Sequence, residues 1–376
     1  MENETGQPAH VTPAAERANV VNHRQPGLFR PKKYVSSLQA LILLFALGLL
    51  TVSCADKTDE AAQFFLRGNV QLQKREYREA IRFYTEAIEK KDDFADAYSN
   101  RGLARFRNGD REGALADYTK AIETDPQFEA AYFNRAEVRL ETGDPNGSLT
   151  DLQRIEKTYR DSTFFQTRLG DTYTRLNNLS MAQAAYDRAI QLDPRNTEAL
   201  TNRGALFFNQ KQYEAAKADL TAALKLNPNQ PEALNNQSLL LAREGRYTEA
   251  LTLVERALTA QTGQPYYLNN KAYLLLMLKR PDEALPLLQE SIRRDDQNAW
   301  AHRNLGLYHL DKNNPAEALP ALQQAERLDA SVDGLYTYLG RAYLLTGNRA
   351  KACEAWARGR SAGDEQARQE ADKQCR

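Results

Sequence analysis

A unit of 34 residues recurs nine times between Ala61 and Gln366, with no insertion between copies. One slot of the unit reads Gly68, Gly102, Ala136, Gly170, Gly204, Ser238, Ala272, Gly306 and Gly340, and every occupant is small. Twelve residues further on the series is Ala80, Ala114, Ser148, Ala182, Ala216, Ala250, Ala284, Ala318 and Ala352. Four further still the slot is bulky: Tyr84, Tyr118, Leu152, Tyr186, Leu220, Val254, Leu288, Leu322 and Trp356. A period of this length describes a supersecondary unit too small to bury an apolar face alone. Successive copies therefore stack on their neighbours as a solenoid.

The unit reads as two helices. In the copy 95–128, Tyr98, Gly102 and Arg105 share one helical face at i, i+4, i+7, and Ala114, Tyr118, Ala121 and Ile122 share another. Gly109-Asp110 marks the turn between them, where positive φ is needed, and the matching slot holds Gly143, Asn177, Gly245, Asn313 and Gly347. Asp125-Pro126, Asp193-Pro194 and Asn227-Pro228 close second helices. Two helices cross closely only where neither carries a bulky side chain at the contact, so the small slot and the large slot belong to one device.

These residues, at these offsets, resemble the tetratricopeptide repeat. The resemblance covers Ala61–Gln366, about four fifths of the chain, and is closest where Asn-Arg-Gly occurs (Asn100-Arg101-Gly102, Asn202-Arg203-Gly204). It is weakest in 129–162, with Ser148 and Ile155 where Ala is expected and no closing proline. The resemblance implies an all-α, right-handed superhelical solenoid of nine repeats whose concave groove binds peptides or proteins, and it does not imply an enzyme.

The N-terminal region carries the only long apolar run, Leu38–Ser53, preceded by Arg30, Lys32 and Lys33. A short apolar core behind a positive flank reads as a secretory signal. The run ends at Ser53-Cys54 and a polar stretch follows, which resembles the bacterial lipoprotein cleavage box. That resemblance implies cleavage before Cys54 and lipidation of Cys54, with residues 1–53 as leader and 54–60 as anchor and short tether. An uncleaved signal anchor with Cys54 unmodified is one alternative, and a soluble cytoplasmic protein is the other. The expected location is the bacterial cell envelope, with the protein lipid-anchored at a membrane (outer rather than inner) and the repeats on the periplasmic or outer side.

Charge is balanced at 50 acidic against 50 basic residues, which argues against nucleic acid as a partner. Besides Cys54, the cysteines are Cys353 and Cys375. Gly363 ends the last second helix, and Asp364–Cys375 reads as one more helix with Ala367, Ala371 and Cys375 on one face. The arms from Cys353 to Gly363 and back to Cys375 are nearly equal, so the sulfurs face each other across a hairpin and would pair in an oxidising compartment, the alternative being two unpaired thiols, one buried and one at a frayed end. The terminal helix, ending through 367–376, caps the apolar end of the solenoid.

No catalytic or metal-binding constellation is visible: no Cys pair at metal spacing, no Gly-rich phosphate loop, no Gly-x-Ser-x-Gly elbow. His302 and His309 occupy packing slots. The expectation is a non-enzymatic protein with no cofactor and no small-molecule substrate.

The groove is the better candidate. Slots two, six, nine and thirteen of each unit form a face apart from the packing slots, and the family resemblance puts that face inside the groove. Slot six is Asn in six units, Asn100, Asn134, Asn202, Asn236, Asn270 and Asn304, with Leu66, Arg168 and Tyr338 as exceptions. One carboxamide per unit offers a donor and an acceptor to an extended backbone, or else bonds within and between repeats. Units seven and eight add Tyr266, Tyr273, Met277, Trp300 and Leu307, an apolar face suited to anchoring side chains or to filling gaps between repeats. Two functions fit: an envelope scaffold holding a defined protein partner, or a periplasmic chaperone-like holder of unfolded clients.

Overall fold

The computed structural model describes residues 57–375, and its regular structure is nineteen helices arranged as successive hairpins. They pair as α1 (57–73) with α2 (Tyr77–Lys90), α3 (Ala95–Arg107) with α4 (Arg111–Thr124), α5 (Glu129–Glu141) with α6 (Pro145–Tyr159), and α7 (Thr163–Arg175) with α8 (Leu179–Leu192). Next come α9 (Thr197–Asn209) with α10 (Tyr213–Leu226), α11 (Pro231–Arg243) with α12 (Tyr247–Ala260), and α13 (Pro265–Met277) with α14 (Pro281–Arg294). Last are α15 (Ala299–Asp311) with α16 (Pro315–Leu328), α17 (Leu335–Leu345) with α18 (Arg349–Ser361), and the single α19 (Glu365–Gln374). The chain divides into two compact units within α8, the first ending at Ala185 and the second starting at Tyr186.

The small slot is set by the bulky side chain sixteen residues later. A Cβ added at Gly68 would stand 2.5 Å from the Tyr84 ring, at Gly204 2.9 Å from Leu220, at Gly306 2.4 Å from Leu322, and at Gly340 2.3 Å from the Trp356 indole nitrogen. Tyr84, Leu220, Leu322 and Trp356 are buried by this contact. The Trp356 indole also donates to the Thr337 carbonyl at 3.2 Å.

The turn within each hairpin takes positive φ in all nine copies. Gly109, Gly143, Asn177, Gly245, Asn313 and Gly347 do so, and so do Arg75, Lys211 and Lys279, at φ 61°, 62° and 60°. The left-handed conformation costs a non-glycine residue about 1–2 kcal/mol. The geometry survives because the turn closes orphan carbonyls: Lys279 donates to Leu276 at 3.0 Å and Arg280 to Leu275 at 2.8 Å, the Schellman pattern.

The weakest copy keeps its hairpin. Ala136, Leu152, Ile155 and Phe165 form its core. Ser148, in the Ala slot, hydrogen-bonds the Thr172 hydroxyl at 3.1 Å in a buried site. The Thr172 slot is apolar in other copies (Val138, Leu206, Leu240), so two polar substitutions satisfy each other.

Two boundaries call for comment. The tether expected over Ala55–Glu60 is helical from residue 57, so α1 starts earlier than the repeat. Glu60 there pairs with Lys90 at 2.5 Å, and Ala61 is buried. At the other end, Asp364 caps α19 by accepting from the Ala367 N–H at 3.1 Å and also accepts from the Thr337 hydroxyl at 2.8 Å. Ala367 and Ala371 pack on Ala352 and Trp356. A disulfide joins Cys353 to Cys375, with Cα atoms 5.7 Å apart.

Leu38–Ser53 and Cys54 lie outside the described residues. Among the described residues no helix is long and apolar enough to cross a membrane.

Alanine in the small slot tests the packing. Gly→Ala gains about 1 kcal/mol of helix propensity, whereas overpacking costs about 1–3 kcal/mol. Gly306→Ala, which drives a methyl into Leu322, lowers the melting temperature. Gly102→Ala, whose methyl would meet the Tyr118 ring at 3.0–3.2 Å, lowers it less. The reverse order in thermal melts would show that the slot is not set by the facing side chain.

Candidate functional site

The four candidate slots do not share one environment. Slot two is open: Tyr266 is 49% exposed and Trp300 39%, one repeat apart on α13 and α15. Phe164, in the same slot of α7, is 51% exposed and was missed in the sequence, where the polar residues around it dominate the pattern. Tyr273 and Met277 are half-buried. Leu307 is 3% exposed and belongs to the core cluster that holds Leu274 and Leu288, so it fills the space between repeats and does not line an open groove.

Four of the slot-six asparagines, Asn100, Asn236, Asn270 and Asn304, bond to the solenoid itself. Asn100 donates to Asn69 Oδ1 at 2.9 Å, and the Tyr84 hydroxyl donates to the same oxygen at 2.8 Å. In the second unit an unbroken run links three repeats. Arg303 Nη1 donates to Asn304 Oδ1 (2.5 Å), and Asn304 Nδ2 to Asn269 Oδ1 (2.7 Å). Asn269 Nδ2 donates to Asn270 Oδ1 (3.2 Å), and Asn270 Nδ2 to Asn235 Oδ1 (2.8 Å). Asn235 Nδ2 then reaches Asn236 Oδ1 at 3.4 Å. Asn134 and Asn304 are buried; Asn100, Asn202, Asn236 and Asn270 are partly exposed. Of the two roles open to the asparagines, bonding between repeats is the one the geometry displays. Asn304, at 1% exposure, has no surface left to offer a peptide.

The slot-five partners Asn235, Asn269 and Arg303 were not singled out in the sequence. The signal for two of them was there: Asn-Asn doublets 34 residues apart, each able to turn one carboxamide along its own helix and one toward the neighbour.

Arg303 stands in an aromatic box. Its guanidinium carbon lies 5.2 Å from the Tyr273 ring centre, 5.1 Å from Trp300 and 5.4 Å from Tyr338. Contacts of this kind stabilise a cation by about 0.5–2 kcal/mol each. Burial pushes the Tyr273 phenol above its usual range, and Arg303 pulls the other way. Tyr273 and Trp300, two proposed anchors, thus already hold a cation of their own chain.

Charged straps are the second feature missed. Arg101 grips Asp117 with Nε (3.0 Å) and Nη2 (2.7 Å), Arg135 grips Asp151 at 2.9 and 2.7 Å, and Arg203 grips Asp219 at 2.7 and 2.8 Å. In each, Nη1 reaches back to the preceding repeat: Thr85 at 3.1 Å, Thr119 at 3.2 Å and Asp187 at 2.6 Å. The Asp219 hydrogen bonds hold the Arg203 guanidinium above its ordinary value. The aspartates are buried, so the pairing is structural. His302 and His309 sit beside the Asp296 carbonyl (3.0 Å) and Glu317 (3.0 Å). Among the described residues no three His, Cys, Asp or Glu converge on a point that could hold a metal ion.

Family models described as tetratricopeptide repeat match residues 95–128, 207–265, 266–331 and 303–365, and one described as TPR repeat matches 68–109 and 170–211. The chain belongs to the tetratricopeptide repeat family, a fold that serves as a protein–protein interaction scaffold. The unmatched stretch 129–169 contains the copy with Ser148. Three solved structures are similar in fold. The APC/C hetero-tetramer Cut9-Hcn1 matches at 15% identity and TM-score 0.60, covering 84% of this chain and 76% of that one. A tetratricopeptide repeat protein from Parabacteroides merdae matches at 17% and 0.50, covering 66% and 98%. The human IFIT1 dimer with m7Gppp-AAAA matches at 18% and 0.51, covering 70% and 67%. No curated protein matches the sequence.

The straps and the carboxamide run predict different costs. Asp151→Ala leaves Arg135 without a counter-charge, leaves Arg139, which also contacts Asp151 at 2.7 Å, with Asp144 at 3.8 Å alone, and costs about 3–5 kcal/mol. Asn270→Ala removes neutral hydrogen bonds and costs about 1 kcal/mol. Denaturant titration reads both; equal losses would mean that the aspartate is not holding charge in the interior.

Proposed function

We propose that this protein is a non-enzymatic scaffold anchored at a bacterial cell envelope, binding a protein segment on the inner face of its repeats. The observation that carries the binding reading is the pair Tyr266 and Trp300, which stay exposed at one slot of adjacent repeats while the large side chains around them are buried. Aromatic side chains open to solvent on a rigid helical face are the usual anchors of a protein interface. Tyr273 and Met277, half-buried farther along α13, extend the same helix toward its C-terminal end. The carboxamides contribute order to this face, and Asn236 and Asn270, partly exposed, retain donor or acceptor capacity for a bound backbone.

The anchoring reading rests on the basic flank, the short apolar run and the junction at Cys54. The first helix is already formed at residue 57, three positions after Cys54 in the sequence, so a lipid on Cys54 would hold the first hairpin close to the membrane. The Cys353–Cys375 disulfide fits an oxidising compartment outside the cytoplasm.

Two measurements test the proposal. Intact mass of the membrane-extracted protein gives a chain that begins at Cys54, carries lipid, and has lost two hydrogens to the disulfide. A mature form keeping residues before Cys54 removes the anchor. For binding, Trp300→Ala abolishes crosslinked capture of the partner from membranes, with roughly 2 kcal/mol or more lost in affinity, while the melting temperature changes little. Capture retained by a destabilised Trp300→Ala variant would make this residue core and end the groove reading.

A further inference from the structure

The face that each first helix turns to the repeat before it has no repeat to meet in α1. Elsewhere the second helix of the preceding copy covers it. Ala97 clusters with Ala87 and Ile88, Ala104 with Ala80 and Tyr84, Val138 with Ala114 and Tyr118, and Leu240 with Ala216 and Leu220. These first-named residues hold slots three and ten, which in α1 are Gln63 and Val70. Gln63 is exposed and Val70 is 47% exposed, whereas Ala97, Ala104, Val138 and Leu240 are buried. Slot six behaves alike. Asn100, Asn270 and Asn304 each donate to a carboxamide of the preceding repeat, and Leu66, with no repeat before it, is aliphatic and 61% exposed. The end repeat of a solenoid needs a polar outer face in water. At the other end α19 supplies one: it covers Ala352 and Trp356 and leaves Arg368, Asp372 and Lys373 exposed. The first end does not follow that rule. Leu66 and Val70, one helical turn apart, stand open on one side of α1. Exposed Arg67 and Lys74 flank them, and Asp59 is the exposed acid at the start of this side.

We propose that this uncovered side of α1 lies along the surface of a lipid bilayer, with Leu66 and Val70 at the acyl boundary and Arg67 and Lys74 against anionic headgroups. The contact presupposes the anchor at Cys54 and adds the protein surface that meets the membrane. Two observations favour a bilayer over a second copy of the chain. Cys54 stands three positions before α1 in the sequence, so a lipid there keeps this side at high local concentration beside the membrane. Two aliphatic side chains also fall far short of the roughly 1,000 Å² that a stable interface between proteins buries. An interfacial helix needs less, because its contact adds to that of a lipid chain already inserted. The charge agrees, since anionic lipids attract Lys and Arg at the membrane surface.

The test uses the full mature chain reconstituted in vesicles of phosphatidylethanolamine and phosphatidylglycerol. Leu66→Cys and Val70→Cys are made separately and labelled with a nitroxide. With lipid on Cys54 and Cys353 bonded to Cys375, the new thiol is the one that reacts. Met181→Cys, exposed on α8, is the reference. Accessibility is read with oxygen, which concentrates in lipid, against a water-soluble nickel complex. Both α1 labels give an oxygen-to-nickel ratio severalfold above that of the α8 label. A ratio that matches the α8 label at either α1 position overturns the contact. Broadening between α1 labels that disappears on dilution with unlabelled protein gives this side to a second copy and overturns it as well. Should one Cys variant fail to fold by circular dichroism, the other decides alone. Intact mass of the same sample reports the anchor separately. A chain that keeps residues before Cys54 removes the lipidated cysteine, and the nitroxide comparison, repeated with Cys54→Ser to keep a single label, still decides whether α1 meets the bilayer.

Discussion

The contact on which the structure depends is the one between a missing side chain and a large one sixteen residues later. Where Gly306 meets Leu322, or Gly340 meets Trp356, a single added carbon would stand well inside van der Waals contact. Each hairpin is fixed at this point, because only a bare backbone lets the first helix lie on the second. The large side chain does two things at once: it fills its own hairpin and is buried by it. Every other feature is arranged around a crossing that is already set.

Stacking the hairpins requires a second kind of contact, and here the chain uses polar groups. Arg101, Arg135 and Arg203 each tie an aspartate of their own hairpin to a side chain of the repeat before. Farther along, the strap positions become Gln237, Lys271 and Leu305 opposite Leu253, Leu287 and Ala321. The buried arginine–aspartate fork is gone there, Lys271 pairing instead with Glu255 of the repeat before at 2.9 Å, and the carboxamide run from Arg303 to Asn236 adds a link between repeats. Both devices satisfy buried polar atoms with fixed geometry. They specify the register of one repeat on the next more sharply than apolar contact alone.

The hairpins, their turns and the terminal cap were legible in the sequence because each follows from a local rule repeated nine times. Positive φ at Gly109 or Asn313 can be read from residue type. At Arg75, Lys211 and Lys279 it can be read only from the slot, since the residue itself argues against it. The face of the groove was harder. Four slots at helical spacing share a direction on an isolated helix, but the neighbouring repeat decides which of them stay open. It left Trp300 exposed and covered Leu307 seven residues later on the same helix. Arg303 was hidden for the same reason: nothing in its sequence neighbourhood announces that Tyr273 and Tyr338, 30 residues before it and 35 after, close around it.

A solenoid is well suited to carry a costly residue of this kind. Each repeat answers only to its neighbours, so the burden of a buried, unpaired guanidinium falls on one segment and leaves the rest untouched. That segment can bear it. The cluster from Leu234 to Leu307 joins Leu274, Leu275, Leu276 and Leu288 with Val254 and Tyr267 in continuous apolar contact across three repeats. Aliphatic side chains buried to this degree contribute about 1.5–3 kcal/mol each, enough in one layer to offset the desolvation of a single cation held between rings. Apolar surplus, carboxamide order and a guanidinium held between rings thus occur together around α13 and α15, the helices that carry Tyr266 and Trp300. Arg303 stands in the fifth slot of its repeat, two before the strap position that Arg101, Arg135 and Arg203 hold and that Leu305 holds here, so it meets the rings of Tyr273, Trp300 and Tyr338 in place of a strap aspartate.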